Sequence, residues 1–276
     1  MSTKRVDLHL HTFHSDGTFT PEELIRRAKS AGLSAVSITD HESILGLPAA
    51  RCAAANDLEI IPGVELTVAF QKRDLHLLGY GFNEGNPQLG RYLEQAHRWR
   101  EGRMQAMIDR LKERGVQVTL EEVQAVSGEG NSMGRPHLAE VLVKRGVVQS
   151  ISQAFEQYIG DRACCFAPQA TLTVNQAVQL VRQAGGVVVL AHPRRMVEDE
   201  WIPELVSQGI QGIEVYHSDH NRAATQHYQA MADRLGLLGT GGSDCHGLRG
   251  SKGPLIGTVP VPYACLERLR ELFQPR

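Results

Sequence analysis

Histidines and carboxylates recur in this chain where runs of apolar residues begin or end, and they are the residue types that bind divalent cations. Near the N-terminus Asp7, His9 and His11 alternate with Val6, Leu8 and Leu10, so a pleated strand sends the polar set to one face and the apolar set to the other. Residues two apart on such a face lie roughly 6.5 Å apart, close enough for two imidazoles to lean onto one ion. Asp16 follows in the loop His14-Ser15-Asp16-Gly17, Asp40-His41 follows a second apolar run, Glu65 lies in Pro62-Gly63-Val64-Glu65, and His76 opens another run. Ala191-His192-Pro193 and Asp244-Cys245-His246 complete the series. Any one of these is compatible with a structural role, since a strand-end histidine can be hydrogen-bonded into the fold and a lone carboxylate often caps a helix. Capping does not explain so many at successive strand ends, and the pattern predicts a metal cluster.

Mixed imidazole and carboxylate ligands suit Zn, Mn or Fe. A carboxylate such as Glu65 can bridge two ions, and a pair of ions about 3.5 to 4 Å apart can activate water and clamp the oxygens of an in-line displacement at phosphorus. The chain has no Walker or dinucleotide-type glycine loop and no GxSxG nucleophile. A metal-bound hydroxide held over Glu65, His192 and Asp244 is therefore the expected nucleophile.

Something must bring these positions together. The chain of 276 residues is long enough for one large α/β domain, or for a barrel with an inserted subdomain. Strand patterns fall at 6–11, 35–39, 60–70, 76–80, 187–190, 213–216 and 237–240, with Gln71-Lys72-Arg73-Asp74 reading as a polar turn. Helices alternate with them. Thr20-Pro21-Glu22-Glu23 supplies an N-cap, a first-turn proline and a capping-box glutamate, and Gly32 ends that helix; an alanine-rich helix follows over 47–56. Thr173 and Gln176 open a later helix, which Gly185-Gly186 closes. Between them, residues 86–170 break the rhythm with helical patterns rich in Arg, Glu and Gln. The reading is an α/β barrel from residues 1–85 and 171–276, with a helical insertion (86–170) after the fourth strand. In such a barrel the strand ends converge on one face.

Hydrophobic residues make up 42% and charged residues 22% of the chain, which excludes a disordered protein, and a net charge of −2 gives no general attraction to polyanions. Duplex DNA is excluded as a default partner, although a local basic pocket could still hold one or two phosphates. Residues Met1 to Arg5 run straight into a strand and no apolar run reaches membrane-spanning length, so a cytoplasmic protein without a membrane partner is expected; no obligate protein partner is evident. The five cysteines, Cys52, Cys164, Cys165, Cys245 and Cys265, form no CxxC pair and read as reduced thiols without chemistry.

Asp7-Leu8-His9-Leu10-His11-Thr12 with Ser15-Asp16-Gly17, then Thr39-Asp40-His41, Gly63-Val64-Glu65, Ala191-His192-Pro193 and Gly242-Ser243-Asp244-Cys245-His246 resemble the PHP (polymerase and histidinol phosphatase) family of the amidohydrolase superfamily. The resemblance implies a distorted (β/α)7 barrel and two or three divalent ions, with Mn favoured and Zn or Fe as alternatives. It places His9, His11, Glu65 and Asp244 around one ion, Glu65, His76 and His192 around a second, and Asp16, His41 and His246 around a third. Gly134-Arg135-Pro136-His137 in the insertion is similar to the branch of nucleoside 3',5'-bisphosphate phosphatases and the exoribonuclease RNase AM. This implies hydrolysis of the 3'-phosphate of nucleoside 3',5'-bisphosphates (pAp to AMP), or 5'-to-3' trimming of short RNA, with Arg135 and His137 facing the barrel mouth to bind phosphate. Arg135 also stands near a predicted helix start, where anions bind. Arg103 and Arg100 lie on an insert helix, as phosphate contacts or as a solvated face. A histidinol-phosphate phosphatase shares the metal logic, and a C–N-cleaving amidohydrolase or a non-catalytic metal-bound regulatory module are further alternatives. His97, His217, His220 and His227 match no ligand position, and His14, Arg194 and Arg195 receive no role.

Overall fold

A computed structural model describes residues 4–128, 131–169, 171–248 and 253–273. Its principal strands are β1 (Arg5–Leu10), β2 (Ala35–Ile38), β3 (Glu59–Phe70), β4 (Arg73–Tyr80), β5 (Val187–Leu190), β6 (Gly212–His217) and β7 (Leu238–Gly242). They pair in the order β7-β6-β5-β4-β3-β2-β1. Chain beyond β7 returns to β1: the Asp244 N–H donates to the His9 carbonyl at 2.9 Å and the His11 N–H to the Cys245 carbonyl at 3.1 Å. The sheet is thus a nearly closed barrel. Gly242 permits that approach, because a Cβ there would lie 2.4 Å from the His9 backbone nitrogen.

One strand distorts the barrel. β4 runs antiparallel to both β3 and β5, while β1–β2, β2–β3, β5–β6 and β6–β7 are parallel. The β3–β4 hairpin turns on Gln71 and Lys72, with φ of 48° and 63°, a two-residue connection whose twist matches that of the strands. The expected four-residue turn and the strand start at His76 are corrected accordingly: β4 begins at Arg73. Antiparallel β4 brings its beginning, not its end, to the face where its neighbours finish, and His76 reaches that face for this reason.

Helices α1 (Pro21–Ser30) and α2 (Leu47–Ala54) cover the first strands, and the Thr20 hydroxyl caps α1 by accepting the Glu23 N–H at 3.2 Å. The insertion carries α3 (Pro87–Glu113), α4 (Leu120–Ser127) and α5 (Arg135–Lys144). At 27 residues α3 is about 40 Å long, and it serves two cores. Leu89, Tyr92, Leu93 and Ala96 pack with the barrel's Val64, Val181 and Val188, whereas Met104, Met107, Ile108 and Leu111 pack with Val123, Leu138 and Leu142 of the insertion. Among the described residues no helix is long and apolar enough to cross a membrane.

Candidate metal centre and the cavity above it

Glu65 stands at the middle of the cluster, almost wholly buried, and its two oxygens face different histidines. Its Oε2 lies 3.2 Å from His9 Nε2 and 3.1 Å from His11 Nε2, and its Oε1 lies 2.8 Å from His76 Nδ1 and 3.0 Å from His192 Nε2. Asp244 Oδ1 lies 3.4 Å from both His9 Nε2 and His11 Nε2. A third group gathers beside it, with Asp16 3.2 Å from His246 Nε2 and 3.9 Å from His41 Nε2. All nine residues expected as ligands converge at one end of the barrel, in groups whose donor atoms lie within 4.8 Å of one another.

These donors fit divalent cations. Ligands about 2.0–2.1 Å from a tetrahedral ion are separated by about 3.3–3.4 Å, close to the 3.1–3.4 Å spacings among His9, His11, Glu65 and Asp244. His9 Nε2 and His11 Nε2 face each other at 3.1 Å, where two lone pairs repel unless a cation or a shared proton lies between them. His41 Nδ1, His76 Nδ1 and Asp16 Oδ1 are buried and, for all their polar neighbours, none is aligned to form a hydrogen bond, a costly state that a bound cation relieves.

Electrostatics agree. Burial alone would raise the Glu65 carboxyl, yet His41, His9 and His76 hold it well below the usual carboxylate range. Asp244 and Asp16 are held low in the same way, against burial, by His9 and His246 and by His246 and His41 respectively. Burial opposes protonation of His11, but hydrogen bonds to Asp244 and Glu65 lift it to about 10. The cluster is an anionic well that calls for positive charge.

Local backbone aims these groups. Asp40 is not among the ligand groups: it accepts the Thr12 N–H at 2.7 Å and the Thr12 and Ser15 hydroxyls at 2.5 Å, tying down the loop that carries Asp16. Asp7 likewise accepts the Ser243 and Gly257 N–H groups at 2.8 and 3.0 Å, which fixes the segment leading to Asp244. His192 and Asp244 both adopt positive φ, 27° and 54°, uncommon for residues with a Cβ and a recurrent feature of functional sites.

A cavity of about 410 Å³ opens over the cluster, with Glu65, His76, Asp244 and His246 below and Arg100, Arg103 and Arg135 on the insertion side. Arg135 lies at the first turn of α5, paired with Asp161 and packed over Phe155 and Phe166 at 5.5 and 5.6 Å. Arg103 donates to the Ala167 carbonyl at 2.8 Å and lies 3.4 Å from Asp74; burial, reinforced by Arg135, lowers it to about 10. The structure does not bring His137 to this wall. It is 1% exposed, and its Nδ1 accepts the Gly134 N–H at 3.0 Å, closing the first turn of α5.

Arg100 and several residues left without a role lie at the site. Arg100 is buried: its Nε donates to Glu42 at 2.5 Å and its Nη2 to the Thr67 hydroxyl at 3.3 Å, so it is not on a solvated face. Arg195 Nη1 donates to Asp244 Oδ2 at 2.7 Å, and His217 Nε2 lies 3.4 Å from the same oxygen. His14 joins the metal loop to the insertion through Asn131 at 2.9 Å. Glu214, which sequence reasoning passed over, lies buried beneath His9; the one available signal was a carboxylate inside an apolar strand. His97, His220 and His227 bond to the Asn131 carbonyl, the Val215 carbonyl and Asp199.

The PHP domain model matches residues 7–169. A 5'-3' exoribonuclease of Haemophilus influenzae is 30% identical over 250 residues, 88% of this chain and 90% of that protein. A 3',5'-nucleoside bisphosphate phosphatase of Chromobacterium violaceum is 30% identical over 274 residues, 97% of this chain and 96% of that protein. A candidate metal-dependent phosphoesterase of Bifidobacterium adolescentis, solved by crystallography, superposes with a TM-score of 0.88 at 30% identity and covers 99% of this chain and 97% of its own. The chain belongs to the PHP family. Within it, the metal-binding cluster and these relatives define a metal-dependent hydrolase of phosphoric esters.

Proposed function

We propose that the chain hydrolyses the 3'-phosphate of nucleoside 3',5'-bisphosphates, converting pAp to AMP and phosphate, and that the same site trims short 5'-phosphorylated RNA from its 5' end. The observation that carries this reading is a single cavity lined both by metal ligands and by Arg103, Arg135 and the start of α5. A substrate with two phosphates matches a cavity that offers two kinds of phosphate partner, a metal cluster and arginines. The N-terminus of a ten-residue helix favours an anion, and Arg135 adds a planar fork of donors. Arg103 and Arg135 crowd each other, and a phosphate between them relieves that repulsion.

In this reading the 3'-phosphate lies over Glu65, His192 and Asp244, and the 5'-phosphate between Arg103 and Arg135, which exchange Asp74 and Asp161 for it. The nine ligands would hold two or three divalent ions, Mn favoured, which would supply positive charge against the phosphoryl oxygens and acidify water there. Arg195 holds the outer oxygen of Asp244, keeping its Oδ1 on the cluster. Histidinol phosphate fits less well, because its single phosphate leaves the arginines without a phosphate partner and its ammonium group is repelled by them. Five free thiols agree with a cytoplasmic setting, and the partner is a small nucleotide or short oligonucleotide rather than duplex DNA. Phosphate release by the Mn-loaded protein from pAp, short 5'-phosphorylated RNA and histidinol phosphate tests the proposal. The first two should be turned over in preference; no turnover of either refutes it.

A further inference from the structure

Glu214 is completely buried under the cluster and belongs to none of the three expected ligand groups. Its Oε1 lies 3.1 Å from His9 Nδ1, and its Oε2 accepts the His192 backbone N–H at 2.7 Å. The Nε2 of each histidine points at Glu65, at 3.2 Å for His9 and 3.0 Å for His192. We propose that Glu214 is a positioning residue of the metal centre: one oxygen fixes His9 as the Nδ1–H tautomer, and the other holds the left-handed turn at His192, so that both Nε2 atoms face the cations.

Two features support this. β6 carries a register shift, pairing Glu214 with Thr240 and Tyr216 with Gly241, so Val215 is an extra residue. A bulge of this kind re-aims side chains, and here it turns Glu214 and His217, three residues apart, toward the same buried face. Secondly, His192 at φ 27° is in a conformation that needs support, and the Glu214 bond anchors its N–H. The group His9, Glu214 and His217 could be taken as a further metal site. Both Glu214 oxygens, however, are already engaged with the His9 ring nitrogen and the His192 N–H, and a carboxylate behind a ligating imidazole is the usual outer partner of such a ligand.

The inference rests on the cluster being a metal centre, and the test separates the two claims. Mn binding to the full chain is measured by calorimetry for wild type and Glu214→Gln, and melting is followed with EDTA and with Mn. A glutamine amide can accept only one of the two N–H groups, so Mn affinity should fall about 10–100-fold. The Mn-induced rise in melting temperature should shrink, while the EDTA-treated proteins melt together. Mn uptake by wild type with an affinity in Glu214→Gln within about threefold of it overturns this inference alone; no Mn uptake by wild type overturns the metal centre and this inference with it. Ring nitrogen NMR of the Zn-loaded wild-type chain needs no variant. It should show His9 protonated at Nδ1, and the opposite tautomer overturns the proposal.

Discussion

The barrel and the insertion both contribute polar groups to one cavity, but they hold them by different means. In the barrel, hydrogen-bonded strands set the backbone spacing, and five histidines meet around one buried carboxylate, Glu65, two of them also facing its neighbour Asp244. In the insertion, Arg103 and Arg135 stand on helices with their own apolar core, docked through the first half of α3 and the buried Arg100–Glu42 pair. The sheet provides the precision that cation ligation requires, whereas a helical attachment can change the substrate without disturbing the ligands.

The sharpest way to break this comparison is Glu65→Gln. The side chain keeps its volume but loses the charge that five imidazoles approach, so kcat/KM should fall by on the order of 10³-fold or more, exceeding the roughly 10–100-fold cost of an outer partner. Steady-state kinetics and metal content measure this, with circular dichroism showing a retained fold. Activity within about tenfold of wild type would remove Glu65 from the centre. The insertion's counterpart is Leu138→Ala, which opens a void between α4 and α5 and should cost about 2–5 kcal/mol in urea unfolding. Metal uptake should survive it. If uptake falls in step with stability, the two regions are one cooperative unit and the contrast drawn above is wrong.

The unequal legibility of the two regions has the same origin. β1 announced itself through the alternation of Asp7, His9 and His11 with three aliphatic residues, because a strand's period of two is written directly in sequence. Direction is written only in the connection: the short polar turn read at 71–74 leaves no room for a parallel crossover, and that, not the residue pattern of 73–80, carries the antiparallel course of β4 that brings His76 to the ligands. The bulge at Val215 breaks the period that would have revealed Glu214 and His217 as neighbours. Arg100 reads like any surface helix arginine, since its partner Glu42 lies 58 residues away and only the docked insertion brings them together.

A smaller effect separates the arginines of the cavity from its metal ligands. Arg135→Ala should lower kcat/KM about 10–100-fold for substrates with a 5'-phosphate, the loss of a charge-assisted contact worth roughly 1.5–3 kcal/mol, and leave substrates without that phosphate nearly unchanged. Parallel assays on pAp and on a 3'-phosphorylated nucleoside measure the difference. An equal loss on both would mean that Arg135 supports the cavity's shape instead of reading the phosphate.

The smallest expected effect falls on the residue that the two regions use most differently. In the barrel a buried histidine is aimed at carboxylates, but His137 spends its Nδ1 on the Gly134 N–H at the start of α5, a position where glutamine or glutamate commonly fills the same need. His137→Ala should therefore cost about 0.5–2 kcal/mol of stability with little change in KM, and His137→Gln, which can accept the same N–H, should recover most of that stability. A raised KM in both variants, with stability unchanged, would return His137 to the phosphate site. The cap has a consequence for the site even so: by ordering the first turn of α5 it sets where Arg135 leaves the helix. Loosening it should lower kcat/KM for 5'-phosphorylated substrates by less than Arg135→Ala does, and a larger loss would show that the turn itself, through its N–H groups, contacts the phosphate.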